Sequence, residues 1–175
     1  YDFAGYLTHR IMHSSEITWR FHELHHSARS FNIFTVHRVH PVDSAIIKFA
    51  QTLVVLLLGA SVHEVFLFTV ITLLLGTAKH SNLIYGYPGI FKYLIQSPAQ
   101  HWIHHSQNPL HFNKNFGEIL QIWDVIFGTA CNLPRDDLKN LKIGTDYTVD
   151  FHDSFIRLLV DPYKQIWSKI NKTKT

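Results

Sequence analysis

A long apolar stretch, from Ala45 to Ala78, constrains the fold of this chain more than any other feature of its sequence. The strongly polar side chains within it are Lys48, Gln51, His63 and Glu64. Gly59-Ala60-Ser61 divides the stretch into residues 44–60 and 62–78, each about 25 Å long as a helix. Because apolar side chains surround both segments, neither helix has a face for water. The pattern predicts an all-α integral membrane protein with a transmembrane hairpin at about residues 44–78. Two buried helices in a soluble core are the alternative.

A hairpin returns the chain to the side of the membrane from which it started. The basic side chains lie on the two flanks of the stretch, and the turn has none: Arg10, Arg20, Arg29, Arg38 and Lys48 on one flank, and Lys79 and Lys92 on the other. Cytoplasmic flanks of membrane helices are enriched in lysine and arginine. The sequence therefore predicts a multi-pass protein whose flanking regions lie on the cytoplasmic face.

Histidine is unusually frequent, with 14 residues in a chain of 175. Nine of them fall in four groups on the flanks of the hairpin: His9 with His13; His22, His25 and His26; His80; and His101, His104 and His105. Residues three or four apart share one face of a helix, so each multiple group can present imidazoles to a metal. The isolated His37, His63, His111 and His152 are interpreted as structural or surface residues, and His40 stays open between ligand and channel residue.

The segment "HELHH" permits two interpretations. As H-E-x-x-H it places two zinc ligands and a general base on one helix, which predicts a membrane zinc metalloprotease using His22, Glu23 and His26. However, "HELHHS" and "HWIHHS" repeat one pattern, H-x-x-H-H-S, in which Trp102 replaces Glu23. A protease also leaves the second triplet unexplained. A metal-binding membrane protein without catalytic activity is the third possibility.

Nine imidazoles are too many ligands for one metal, and two metals with four or five ligands each would account for all of them. Imidazole binds iron, zinc, copper and nickel, so the ligand type alone does not select the metal. Redox chemistry requires iron or copper. A site crowded by histidine is not typical of hydrolysis, which needs an open position for water.

Composition excludes other classes. The net charge of +3, without a basic stripe, argues against a nucleic-acid partner. The single Cys131 excludes an intramolecular disulfide and a zinc site with several cysteines. The chain opens on Tyr1 within an apparently helical segment and without a signal peptide, so we interpret it as a fragment whose upstream part is missing.

Further helices are predicted at residues 2–13, 15–27 and 98–107. Residues 115–128 alternate polar and apolar side chains, which indicates a helix on the membrane surface or beneath the histidines. The pattern at residues 151–170 predicts a final amphipathic helix that is broken at Pro162.

The ordered motifs resemble those of the fatty acid hydroxylase and sterol desaturase superfamily of membrane-bound, non-haem di-iron oxidoreductases. These motifs are "DFAGYLTHRIMHSSEITWRFHELHHS", "VHRVHPVD", "KHSNL", "SPAQHWIHHS" and "NKNFGEILQIWDVIFGT". The resemblance implies a fatty acid hydroxylase-like di-iron domain at residues 1–130, followed by a polar C-terminal tail with an amphipathic helix at 131–175. It also implies an O2-dependent enzyme that hydroxylates or desaturates a membrane lipid such as a sterol or fatty acyl chain.

The resemblance assigns two iron ions to the nine grouped histidines: His9, His13, His22, His25, His26, His80, His101, His104 and His105. It implies no catalytic residues beyond these ligands. Electrons would come from an external donor of the cytochrome b5, ferredoxin or reductase type, since the chain has no haem or flavin motif. Candidates for orienting the imidazoles are Asp2, Asn82, Asn115 and Asp124. The chain departs from the family pattern in two ways. Family members usually have further membrane helices before the first histidine motif, so the resemblance implies a fragment that lacks N-terminal membrane helices. Some relatives also have a second histidine four residues after the one at position 80, where this chain has Ile84.

Overall fold

A computed structural model describes residues 1–147 and 155–172. The α-helices are α1 (Asp2–Ser14), α2 (Glu16–His26), α3 (Pro41–Leu57), α4 (Val62–Lys79), α5 (Phe91–Leu94), α6 (Pro98–His104), α7 (Ile122–Ile126), α8 (Arg135–Lys139) and α9 (Phe155–Lys172). Short 3-10 helices span Thr35–His37 and Pro109–His111. The described ranges contain isolated β-bridges but no strand, which confirms the all-α prediction.

Helices α3 and α4 follow one another across a short turn at residues 58–61. Helix α3 begins at Pro41, three residues earlier than the apolar segment, because the His40 side chain accepts a hydrogen bond from the Val42 amide. Helix α4 begins with a capping box in which Ser61 and Glu64 satisfy each other's amides. Gly59 takes a φ of +88°, a conformation in which glycine lacks the steric penalty of a side chain.

Helix α4 is long and apolar enough to cross a membrane, and almost none of it is buried within the protein. Its exposed side chains include Phe66, Leu67 and Leu74. Exposed apolar residues without a protein partner are what a lipid environment requires. Helix α3, with 17 residues, similarly exposes Phe49 and Leu57. Crossing of the membrane by both helices, and the side on which the histidines lie, stay predictions.

The helix predicted at residues 115–128 is wrong over its first half, since only Ile122–Ile126 is helical. Asn115 has a φ of +56°, outside the helical region. The amides of Phe116 and Gly117 donate to the carboxylate of Asp124, at 2.8 Å each, instead of to helical carbonyls. In this loop, hydrogen bonds to a side-chain carboxylate take the place of the backbone hydrogen bonds of a helix.

The break predicted at Pro162 is also wrong, because α9 is continuous through this residue. Pro162 is buried, so packing offsets the hydrogen bond that its missing amide removes. The carbonyl of Leu159 accepts a hydrogen bond from the His40 ring at 3.2 Å. Part of the predicted helix, and the isolated His152, lie outside the described residues.

The interior is mainly polar. Helices α1, α2 and α3 pack together, and α6 packs against α4. Two small apolar clusters lie beside this assembly, one formed by Ala28, Phe31 and Ile143 and the other by Ala99, Ile103 and Leu138. Buried histidines fill the space between the helices instead of aliphatic side chains. An interior of this kind is stable only if its polar atoms have partners.

Candidate metal centre

The nine grouped histidines converge into two adjoining sets. The first set contains His9, His13, His22, His26 and His104. The second set contains His25, His80, His101 and His105. Within each set, one ring nitrogen from every residue lies within 4.8 Å of the others. The structure thus brings together every residue that the sequence nominated as a ligand.

Both H-x-x-H-H triplets divide between the two sets in the same way. In α2, His22 and His26 are four residues apart and face the first set, whereas His25 faces the second. At α6 the arrangement is reversed, since His101 and His105 belong to the second set and His104 to the first. Neighbouring residues diverge by about 100° around a helix, so one triplet supplies both sets.

The outward nitrogens of several rings are held by fixed acceptors. His9 Nδ1 donates to the Phe116 carbonyl at 2.8 Å, and His104 Nδ1 donates to the Lys114 carbonyl at 2.7 Å. His80 Nδ1 donates to the carbonyl of Gly76 at 2.7 Å. Carbonyl oxygens only accept, so these rings carry their proton on Nδ1 and turn an Nε2 lone pair towards the set. Such outer contacts typically orient metal-bound histidines.

The carboxylate of Asp43 holds a fourth ring, with Oδ2 lying 3.0 Å from His22 Nδ1. Both side chains are almost completely buried. Asp43 was not among the residues that the sequence nominated for orienting the imidazoles. The available signal was an acidic residue at the end of an apolar helix on the histidine side, where ionisable residues are expensive and commonly functional.

The inward nitrogens fit a bound cation. His9 Nε2 and His22 Nε2 lie 3.1 Å apart, although both rings engage an acceptor through Nδ1. Two facing lone pairs repel each other unless a positive charge lies between them. Buried ring nitrogens without any hydrogen-bond partner include His13 Nε2 and His104 Nε2 in the first set and both nitrogens of His105 in the second. Unsatisfied buried nitrogens of this number are costly without a metal.

The electrostatics keep these imidazoles neutral. Burial lowers the pKa of His104 to about 3 and that of His80 to about 4. Burial also lowers the pKa of His9 and His26 well below the usual value, with neighbouring histidines adding to the effect. A neutral imidazole is the form that coordinates a metal.

The four residues proposed to orient the rings do not contact histidine nitrogens in the described part of the chain. The carboxylate of Asp2 instead accepts from the Ile119 amide and the Trp123 indole. Asp124 acts one step further out, because it binds the amide of Phe116, whose carbonyl holds His9. Asn115 similarly braces this loop against the backbone of Gln100 and Cys131.

His40 lies outside both sets. Its Nδ1 accepts from the Val42 amide and its Nε2 donates to the carbonyl of Leu159, so both ring nitrogens are engaged. The isolated His37, His63 and His111 also lie outside the sets. His111 is buried and bonded to the Ser106 hydroxyl at 2.9 Å.

The metalloprotease interpretation gains no support from this geometry. The carboxylate of Glu23 lies 3.1 Å from the guanidinium of Arg20 on the same helix. His22 and His26 share the first set with three further imidazoles, whereas a catalytic zinc site has three protein ligands and an open position.

Among the described residues, two cavities reach the histidines. A cleft of about 300 Å³ between α3 and α4 reaches both sets and is lined by histidines and by apolar, hydroxyl and charged side chains, among them Ile47, Lys48, Thr69, Leu73 and Glu118. A second cavity, of about 510 Å³, reaches His13, His26 and His104 beside Trp19 and Glu23. The two sets are thus accessible from two directions.

Comparison with known proteins identifies relatives of the chain. The family model for fatty acid hydroxylase matches residues 1–129. The ornithine lipid hydroxylase OlsE of Rhizobium tropici is 29% identical over 94% of this chain and 48% of its own length. The human alkylglycerol monooxygenase is 31% identical over 73% of this chain and 28% of its own length. The Delta(7)-sterol 5(6)-desaturase of Saccharomyces cerevisiae is 27% identical over 81% of this chain and 36% of its own length.

No solved structure matches the chain. The chain spans about half the length, or less, of these relatives. The matched region contains every one of the nine grouped histidines. The chain therefore belongs to the fatty acid hydroxylase family, as its histidine motifs predicted.

Proposed function

We propose that this chain is the metal-binding part of a membrane enzyme that uses O2 to hydroxylate or desaturate a lipid. The observation that carries the proposal is the convergence of nine histidines, eight of them buried, into two adjoining sets with inward-facing lone pairs. The relatives named for ornithine lipid, alkylglycerol and sterol oxidation support a lipid substrate.

The two sets would hold two iron ions, with His9, His13, His22, His26 and His104 at one and His25, His80, His101 and His105 at the other. Bound iron would supply the O2-dependent oxidising chemistry that protein side chains lack. The role of the chain is to keep the imidazoles neutral, to fix their orientation through Asp43 and the carbonyls, and to exclude bulk water.

The lipid would approach through the cleft between α3 and α4. This cleft contacts histidines of both sets. Part of its lining comes from α3 and α4, the helices with many exposed apolar side chains. Lys48 lies in the cleft, where its ammonium group donates to the Gln51 side chain at 3.0 Å. A lysine within an apolar helix commonly marks a substrate path. We assign to Lys48 a contact with the polar end of the lipid.

Electrons would come from an external donor of the cytochrome b5, ferredoxin or reductase type. The positive flanks of the hairpin support placement of the histidines on the cytoplasmic face of a multi-pass protein. The di-iron domain would comprise residues 1–130, with residues 131–175 as its C-terminal extension.

Metal analysis of the full-length protein, purified without oxygen, tests the proposal. We expect about two irons per chain and O2 consumption that depends on an added lipid. The His104→Ala variant should lose about one of the two irons together with the activity, whereas Glu23→Gln should keep both irons and the activity. One tightly bound zinc without iron, together with peptide hydrolysis by the parent protein that Glu23→Gln abolishes, would overturn the lipid-oxidation assignment in favour of a zinc protease.

A further inference from the structure

Helix α9 carries an apolar stripe that the described part of the protein leaves exposed. The stripe consists of Ile156, Val160, Tyr163, Trp167 and Ile170. These residues are spaced by three or four, so they follow one line along the helix. Ile156 is 71% exposed and Trp167 is 68% exposed. An exposed stripe of this length indicates an interaction surface.

A different face of α9 attaches the helix to the protein. Pro162 is buried within the structure, and the helix packs against α2. The ring of Tyr163 lies 5.2 Å from that of Phe21 at its edge. Lys169 forms an ion pair with Glu16 at the start of α2. Tyr163 therefore lies where the stripe meets the attached face, whereas Ile156 and Trp167 stay largely exposed.

The attachment places α9 beside the end of the candidate membrane hairpin. The carbonyl of Leu159 accepts from His40, the residue that caps α3. The long apolar stretch of α3 begins at Ala45, within two helical turns of His40. A helix at this level lies where a bilayer changes from hydrocarbon to headgroups, a region roughly 5–8 Å deep on each side.

The composition of α9 matches that environment. The helix carries four basic side chains and one acidic side chain, the basic residues being Arg157, Lys164, Lys169 and Lys172. Tyrosine and tryptophan are enriched at membrane interfaces, and lysines near a membrane are attracted to anionic headgroups. A helix that combines an apolar stripe, interfacial aromatic residues and basic side chains is typical of segments that lie in the plane of the interface.

We propose that α9 lies in the membrane interface, with its apolar stripe inserted between lipid headgroups. The partner of this surface is an anionic bilayer, not a second protein. Because α9 packs on α2, which carries His22, His25 and His26, its insertion would hold the histidine sets at a fixed height above the membrane. This placement of α9 rests on the proposed membrane hairpin and requires neither a bound metal nor a reaction.

Site-directed spin labelling of the full-length protein in nanodiscs of phosphatidylcholine and phosphatidylglycerol tests this placement. The labels are attached at Trp167→Cys, on the stripe, and at Ser168→Cys, its neighbour on the polar side, after replacement of Cys131 by Ser and of any other reactive cysteine. We expect the label at 167 to collide with O2 in preference to a water-soluble nickel chelate, and the label at 168 to show the reverse.

Two results would overturn the proposal. Preference of both labels for the nickel chelate would place the stripe in water, and an immobilised label at 167 that neither reagent reaches would indicate a protein partner. Brominated lipids provide a second measurement with an intact cysteine background. They should quench the fluorescence of the parent protein more than that of Trp167→Phe, and equal quenching of the two would contradict insertion.

Discussion

His26 and His105 stack with their ring centroids 4.1 Å apart and their planes 18° from parallel, yet they belong to different histidine sets. Each is the last residue of an H-x-x-H-H triplet. The stacked pair thus joins the two sets, because His26 belongs to the first set and His105 to the second. Two metals bound in the two sets would lie beside the same stacked pair of imidazoles.

This division predicts which metal each histidine controls. We expect His26→Ala to weaken metal binding at the first set and His25→Ala to weaken metal binding at the second set. Each variant should then retain about one iron per chain. Activity should fall by at least about 100-fold in both, more than the loss typical of an outer contact. His63→Ala, which alters an exposed residue at the start of α4, provides the control. Normal iron content in either ligand variant would contradict the assignment.

Replacement of Asp43 tests the outer contact that sequence analysis missed. Asp43→Asn removes the negative charge beside His22 and should reduce metal affinity or activity by about 10- to 100-fold. Competition with a chelator measures the affinity. Asp136→Asn is the matched control, since Asp136 is exposed and pairs only with the surface Lys139 among described residues. An unchanged affinity for Asp43→Asn would show that the carboxylate merely packs.

The stability of the metal-free protein should depend on pH in a defined direction. Burial lowers the pKa of His104 to about 3 and that of His80 to about 4, below the unfolded value of about 6.5. The unfolded chain therefore binds more protons than the folded chain between about pH 6.5 and pH 3. Folding should weaken steadily as the pH falls through this window and should be independent of these residues above pH 7.5.

Chemical denaturation of the chelated protein from pH 8 to pH 5 measures this effect. The control is the metal-loaded protein, measured at the same pH values. A metal-free protein whose unfolding free energy rises on acidification would contradict the buried, neutral state of the imidazoles.

Lys48 tests the proposed path of the lipid. Lys48→Met preserves the length of the side chain but removes its charge from the cleft. We expect a KM for the lipid raised about 10-fold with unchanged iron content, corresponding to about 1.4 kcal/mol of lost binding. Lys92→Met, on the exposed α5, should leave KM unchanged. Equal KM values for all three proteins would exclude a contact between Lys48 and the substrate.

Close packing at Gly5 gives a prediction about stability. A Cβ atom at this position would lie 2.5 Å from Gln51 Nε2 and 2.7 Å from Glu118 Cδ. Gln51 is fully buried and donates to Glu118 at 2.6 Å, so neither side chain can move freely. Gly5→Ala should destabilise the fold by about 1–3 kcal/mol. Gly86→Ala, whose Cβ would meet only ordinary contacts, should unfold at nearly the parent temperature.

The sequence alone determined the helical class, the two apolar segments and the nine histidines that converge. These properties depend on local periodicity, which an amino-acid sequence displays directly. The same information failed at residues 115–121, where the carboxylates of Asp124 and of the distant Asp2 accept the backbone amides. Asp2 takes the amide of Ile119 from 117 residues away, and no local pattern reports such a partner.

Only the tertiary structure decided how the histidines divide into sets and what holds their outer nitrogens. Periodicity places His25 and His26 on different sides of α2, but the neighbour that each side meets depends on how α1, α4 and α6 pack around it. The contact of Asp43 with His22, and the facing lone pairs of His9 and His22, likewise arise from residues far apart in the chain. Ligand identity is a property of the helix, whereas the metal centre is a property of the packing between helices.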